Sequence, residues 1–318
     1  MRLIAMTIAL ALGTTSALAA ELNCQQIRLI TPYPAGGATD VASRLIAERL
    51  EAALKKPVIV ENRAGATGNV GTLAVVNAPA DGCTLLNNAA VIATFTASFS
   101  RLGYDPIADL TPIGGIGITP TLLVTASANP PGDLKGLIDW SKSKPDGINF
   151  STAGYGLLQH LAVEEIAARS GGRFVHVAYR GGAQAVTDLI AGRIDLGSFA
   201  AGSVLPLVKE GKLKALAVIA GKRSELVPDV KTTTEQGMPG LDAGVHFMLY
   251  VPAKTPKDTV ALLSSELRRI VGDPALKQRF INIGYDPTPT SSEDMAAVMR
   301  RTGAEWTPLI RKLNIKLD

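Results

Sequence analysis

Short apolar runs alternate with amphipathic stretches along most of the chain, the pattern of strands and helices taken in turn. Ile27–Thr31 reads as a buried strand, followed by the turn Pro32-Tyr33-Pro34-Ala35-Gly36-Gly37. Val41, Leu45, Ile46, Leu50 and Leu54 then recur at helical spacing, with Thr39 or Asp40 placed to cap that helix. A second strand at 58–61, a glycine-rich loop at 62–68, a helix from 69 to about 77 and a strand at 84–87 follow. This order predicts a parallel sheet with right-handed crossovers.

The pattern restarts at Leu122-Leu123-Val124-Thr125-Ala126. It predicts a helix from Asp133 to about Ser143, a strand at 148–150, a loop at 151–156 and a helix over about 157–170. A strand at 174–179, a turn at Arg180-Gly181-Gly182, a helix near 183–191 and strands at 194–199 and 215–219 complete this unit. A strand at 246–251 and helices at about 257–271 and 292–313 close the chain. Two such units imply an α/β protein of two lobes facing a cleft, with ligands expected at the carboxyl ends of the strands. The extended, apolar segments 120–126 and 246–252 are the expected crossings. They assign residues 20–121 and 247–318 to a discontinuous lobe 1 and residues 122–246 to lobe 2.

Residues 1–19 stand apart. Met1-Arg2, the apolar run 3–12 and the small-residue ending Ala17-Leu18-Ala19 read as an export signal cleaved after Ala19. Cys24 lacks the small residue expected immediately before a lipidated cysteine, which favours soluble export to the periplasm. In that compartment Cys24 and Cys83, each at the start of a strand, become neighbours if the sheet order is 2-1-3. The order predicts a structural disulfide, with two free thiols as the alternative.

Composition narrows the function. With 47% apolar and 19% charged residues the chain is not of the disordered class. The net charge of +4 is interspersed and aromatics are only 5%, so a nucleic-acid surface is not expected. Three loops carry the candidate chemistry: Pro34-Ala35-Gly36-Gly37-Ala38-Thr39-Asp40, Ser151-Thr152-Ala153-Gly154 and Arg180-Gly181-Gly182-Ala183. Each joins a strand end to a helix start, where glycine admits close backbone approach and free N–H groups favour an anion. One such loop is ordinary in an α/β protein; three in a two-lobed exported chain point to a small anionic ligand.

Enzyme signatures are weak. Gly221-Lys222 lacks the rest of a phosphate-binding loop, and the chain has no GxSxG elbow. His160 and Glu164 share a helix face but find no third metal ligand in register, so they read as a surface or cleft pair. His176 reads as a satisfied core or lobe-face histidine, and His246 begins a crossing strand within reach of the cleft. Asp40 reads as a helix cap, and Asp188 leaves a cleft role open.

Several segments, in order, resemble the periplasmic solute receptors of tripartite tricarboxylate transporters, the Bug proteins. They include Ile30-Thr31-Pro32-Tyr33-Pro34-Ala35-Gly36-Gly37, Val60-Glu61-Asn62-Arg63-Ala64-Gly65, Ala80-Asp81-Gly82-Cys83, Ser151-Thr152-Ala153-Gly154, His176-Val177-Ala178-Tyr179-Arg180-Gly181-Gly182-Ala183 and Val251-Pro252-Ala253-Lys254-Thr255-Pro256. The match departs at Ala38, where a third glycine is common, at Cys83, where an aromatic is usual, and at His246-Phe247, which replaces a Trp-containing stretch. The resemblance implies a type II periplasmic-binding-protein fold closing on a small carboxylate, without a cofactor. The implied ligand-binding set is Tyr33, Ala35, Gly36, Gly37, Thr39, Asp40, Ser151, Thr152, Ala153, Gly154, Gly182 and Ala183, to which the position of His246 on its crossing strand adds that residue. A monomer delivering its ligand to integral-membrane permease subunits is the implied assembly. An exported sensor docking on a receptor kinase, or a cleft enzyme using Asp40, His160 or His246, are the rival readings. The ligand could be a dicarboxylate, a citrate-like acid, an amino acid or an aromatic carboxylate.

Overall fold

A computed structural model describes residues 22–179 and 182–317; the expected leader, with the cleavage expected after Ala19, and Arg180-Gly181 lie outside the described residues. The first unit runs β1 (Ile27–Thr31), α1 (Ala38–Leu54), β2 (Val58–Asn62), α2 (Asn69–Val76) and β3 (Thr84–Ala89). Short helices α3 (Phe95–Ser98) and α4 (Pro106–Asp109) lead to β4 (Leu110–Thr119), which passes through Pro120 into β5 (Thr121–Ala126). The second unit continues with α5 (Leu134–Ser143), β6 (Ile148–Ser151), α6 (Leu158–Ser170), β7 (Phe174–Val177), α7 (Gly182–Ile190), β8 (Leu196–Ala200), α8 (Ala201–Lys209) and β9 (Leu213–Val218). The chain returns through β10 (Val245–Pro252), α9 (Lys257–Val271), α10 (Pro274–Asn282), β11 (Asp286–Pro287) and α11 (Ser292–Lys312).

Two sheets result, ordered β11-β4-β10-β3-β1-β2 and β7-β6-β8-β5-β9. β1 pairs in parallel with both β2 and β3, so the 2-1-3 order holds. It brings the strand starts together, and Cys24 is bonded to Cys83 with the Cα atoms 6.2 Å apart. β10 runs antiparallel between β3 and β4, which makes the first sheet mixed.

β4 is a strand that the sequence hides. Pro112 and the glycines at 114, 115 and 117 depress strand propensity. The fold needs those glycines: a Cβ at Gly115 would lie 2.2 Å from Thr290 Oγ1, and one at Gly117 2.8 Å from Asp286 O. The bare backbone lets β11 and the segment after it lie flat on the sheet. α10 also escapes the periodicity, although Asp273 caps it by accepting from the Ala275 N–H and Pro274 opens its first turn.

α11 serves both lobes. Its first half (Met295, Val298, Met299) packs with Leu86 and Tyr250 of the first sheet. Its second half (Trp306, Ile310) enters the apolar cluster of Leu123, Phe150 and Leu161 in the second. A Ser291–Asp294 capping box fixes where it starts. Among the described residues no helix is long and apolar enough to cross a membrane.

Candidate functional site

A cavity of about 240 Å³ opens between the sheets. Tyr33, Ala38, Thr39, Ala89, Val91, Phe247 and Tyr285 line it from the first sheet's side, and Leu157, Leu158, Gln159 and Ala200 from the second's, with Thr119 and Val245 at the crossings. Three helices begin on it. α1, α6 and α8 start behind Gly37, Leu157 and Ala200, none of which supplies a side-chain cap. The first turn of a helix leaves N–H groups without intrahelical partners, and here no side chain replaces them, although the Ala201 N–H of α8 donates to the Pro120 carbonyl at 2.8 Å. Their positive ends come from both lobes and favour an anion between them.

None of the described residues lining this cavity is charged. The Tyr33 hydroxyl donates to Asn88 Oδ1 at 3.0 Å, and burial pushes its pKa up to about 12. Thr39 Oγ1 and Tyr285 OH share a hydrogen bond at 3.3 Å. Gln159 is 8% exposed, and its amide has no hydrogen-bond partner among the described residues. With no protein partner, the amide is free to bond a polar group in the cavity it lines.

Asp40 is not the helix cap expected of it, and neither is Thr39. α1 begins at Ala38 behind Gly37, which places Asp40 in the first turn. From there its carboxylate reaches back to the Gly36 N–H at 2.9 Å and accepts from Asn62 Nδ2 at 2.9 Å, with Arg44 3.1 Å away. Burial alone would raise its pKa; the Arg44 hydrogen bond, with those from Gly36 and Asn62, holds it below the usual carboxylate value. Asn62 Nδ2 also donates to the Tyr33 carbonyl. The role of Asp40 is thus to fix the 33–40 loop.

The second loop sits behind the wall. Ser151 and Thr152 are fully buried. Thr152 Oγ1 donates to the Gly154 carbonyl at 2.8 Å and lies 3.1 Å from His176 Nε2, while Ser151 Oγ has no partner among the described residues. A Cβ added at Gly182 would lie 3.7 Å from the Ala153 methyl. His160 is neither a surface nor a cleft residue. Its ring is buried 4.1 Å from that of His176, and its Nδ1 accepts the Gly156 N–H, so the loop before α6 hangs on it. Asp188 accepts from Tyr179 OH at 2.7 Å and pairs with Arg193, away from the cavity.

His246 does not face this cavity. β10 alternates, so Val245 and Phe247 point into it and His246 points into a separate cavity of about 620 Å³ beside Arg301, Asp242 and Asp286. Of the expected ligand-binding residues, Tyr33 and Thr39 line the first cavity. Ala35, Gly36 and Gly37 form the exposed loop before α1, Ala153 and Gly154 lie on the loop before α6, and Gly182 and Ala183 open α7; none of them lines the cavity. The sequence reading missed Gln159, Phe247 and Tyr285.

His176 carries a pH prediction. Burial first, then the neighbouring His160, pushes its imidazole down to about 4 from 6.5. Between those values the unfolded chain takes up a proton that the folded chain refuses. The stability contribution is complete above pH 6.5 and is lost as the pH falls towards 4, on the order of 2–3 kcal/mol. Urea titrations across this range should show the loss, and His176→Gln should reduce it; an unchanged slope would contradict the assignment.

The sequence profile of the "Tripartite tricarboxylate transporter family receptor" matches residues 42–315. This chain belongs to that family. A UPF0065 protein of Bordetella bronchiseptica is 33% identical over 312 residues, 97% of this chain and 92% of its own. Among solved structures, R. palustris Rpa4515 with adipate is 29% identical with a TM-score of 0.78, over 91% of this chain and 97% of that one. MatC from Rhodopseudomonas palustris with bound malate is 28% identical with a TM-score of 0.73, over 90% and 98% respectively. The family is one of solute-binding receptors, and its solved relatives have the periplasmic-binding-protein fold.

Proposed function

We propose that this receptor is exported, closes its two lobes on a small carboxylate and releases it unaltered to a membrane permease. The observation that carries the reading is the convergence of three uncapped helix starts, from both lobes, on one cavity. Closure exchanges the water around the anion for backbone N–H groups, and only the closed form presents one continuous surface to a partner. The relatives that hold adipate and malate support a carboxylate as the cargo. The enzyme reading loses its candidates: Asp40 is tied into its loop, His160 is buried, and His246 faces elsewhere.

Apart from the packing of α11, the lobes proposed here, 20–121 with 247–318 and 122–246, also touch at a second edge. Gly284, at φ +84°, and Gly202 meet backbone to backbone, with Ser224 Oγ donating to Asp286 Oδ2 at 2.6 Å and Lys277 pairing with Glu225. A Cβ at Gly202 would lie 3.3 Å from Gly284 Cα. Gly202→Val should therefore hold the lobes apart, raise the radius of gyration in X-ray scattering and weaken binding by about 1–3 kcal/mol. Unchanged scattering and affinity would mean that this edge plays no part in closure. The reading as a whole is tested by calorimetry with a panel of organic acids, each assayed afterwards for consumption. Saturable binding without turnover is expected; steady consumption of a bound acid would overturn it.

A further inference from the structure

Resting on the carboxylate-receptor reading, we infer that Ile315 and Leu317, which do not line the cavity, are positioning residues that set the spacing of its two walls. They belong to the segment after α11. That helix ends in a left-handed turn: Asn314 sits at φ +50°, its N–H donates to the Arg311 carbonyl at 3.1 Å, and the Ile315 N–H donates to the Ile310 carbonyl at 3.0 Å. Asparagine tolerates this conformation better than most side chains. Beyond the turn, residues 315–317 run between elements of the two lobes.

One side of this segment meets the loop before α6. Gly156 is buried at φ +77°, and a Cβ there would stand 2.6 Å from Ile315 Cγ2 and 3.2 Å from Leu317 Cδ2. Leu157, Leu158 and Gln159, next in sequence, line the cavity. The other side meets the first lobe. The Leu317 N–H donates to the Ser98 carbonyl at 2.8 Å, and Lys316 Nζ donates to the Ala97 carbonyl at 3.3 Å. Hydrogen bonds from Ser98 Oγ to the Thr94 carbonyl and from Thr94 Oγ1 to the Val91 carbonyl carry this contact back to Val91, which lines the cavity.

Packing agrees with this placement. Leu317 packs against two apolar clusters, one holding Leu158 and Leu161 of α6 and the other holding Ala90, Ile92 and Phe95 of the first lobe. Ile315 is fully buried in the first of these. Close-packed neighbours collapse only partly into space left by a shortened side chain, and they shift as they do so. A shift of the 156–159 loop moves the N–H groups of Leu158 and Gln159 relative to those of Ala38 and Thr39 across the cavity. An anion held from both sides then loses part of its grip.

The test compares Leu317→Ala with Leu262→Ala, which shortens a half-buried leucine of α9 packed in the first lobe's own core. Two quantities are measured: calorimetric affinity for malate and adipate, and amide hydrogen exchange in the ligand-free protein. Leu317→Ala is expected to weaken binding about tenfold. It should also speed exchange about tenfold at His160 and Leu161, whose N–H groups bond the Leu157 carbonyl at 2.9 and 3.1 Å. Leu262→Ala should melt lower without either effect. Parent-like affinity or parent-like exchange at those amides in Leu317→Ala overturns the inference, as do equal effects in Leu262→Ala. If the parent binds neither acid, exchange alone decides the positioning role, and the wider acid panel decides the receptor reading.

Discussion

Gln159→Glu is expected to abolish tight ligand binding near pH 8 and to regain much of it near pH 5. The two side chains have the same shape, so the buried site at the start of α6 should be filled as before. What changes is charge. Two carboxylates about 4 Å apart in a partly buried setting repel by about 4 kcal/mol at an effective dielectric near 20, or several hundredfold in affinity. Burial and the bound anion both raise the pKa of the new glutamate, so it binds a proton as the pH falls and becomes a neutral donor again. Affinity should therefore rise towards low pH in the variant and not in the parent. Calorimetry at the two pH values separates this from misfolding, which would not reverse. Tight binding in the variant near pH 8 would remove Gln159 from the site.

The second large effect concerns stability alone. The Cys24–Cys83 bond joins residues 59 apart in sequence. Closing a loop of that length restricts the unfolded chain, and a loss of about 2–4 kcal/mol is expected on removing the bond. The two cysteines stand at the starts of β1 and β3, whereas Tyr33 and Ala89 line the cavity just beyond or at the ends of the same strands. The Cys24→Ser, Cys83→Ser double variant should thus melt several degrees lower in calorimetry and bind its ligand as tightly as the parent. A melting temperature within about a degree of the parent would contradict the stabilising role, and a lost affinity would contradict the separation of the two ends.

These contrasts show what was legible. The 2-1-3 order follows from the short crossovers through α1 and α2, and the disulfide follows from that order. The loop before α1 was found because a strand, a glycine pair and a helix stand in series there, a local pattern. β4 was lost because its glycines answer to the segment at 286–290, about 170 residues downstream. Gln159, Phe247 and Tyr285 come from three distant parts of the chain, and only the closure of two sheets brings them to one cavity. His246 was misplaced for a smaller reason. Its strand was recognised, but which alternate side chains face the cleft depends on the pairing of β10 with β3 and β4.

Backbone amides from opposing lobes are the core of this account, and they can be watched one by one. In a nitrogen-15 NMR titration with whichever acid of the panel binds, the amide signals of Ala38, Thr39, Leu158 and Gln159 are expected to shift together and saturate together. Shifts confined to residues around His246 and Arg301, with those four amides unmoved, would contradict it.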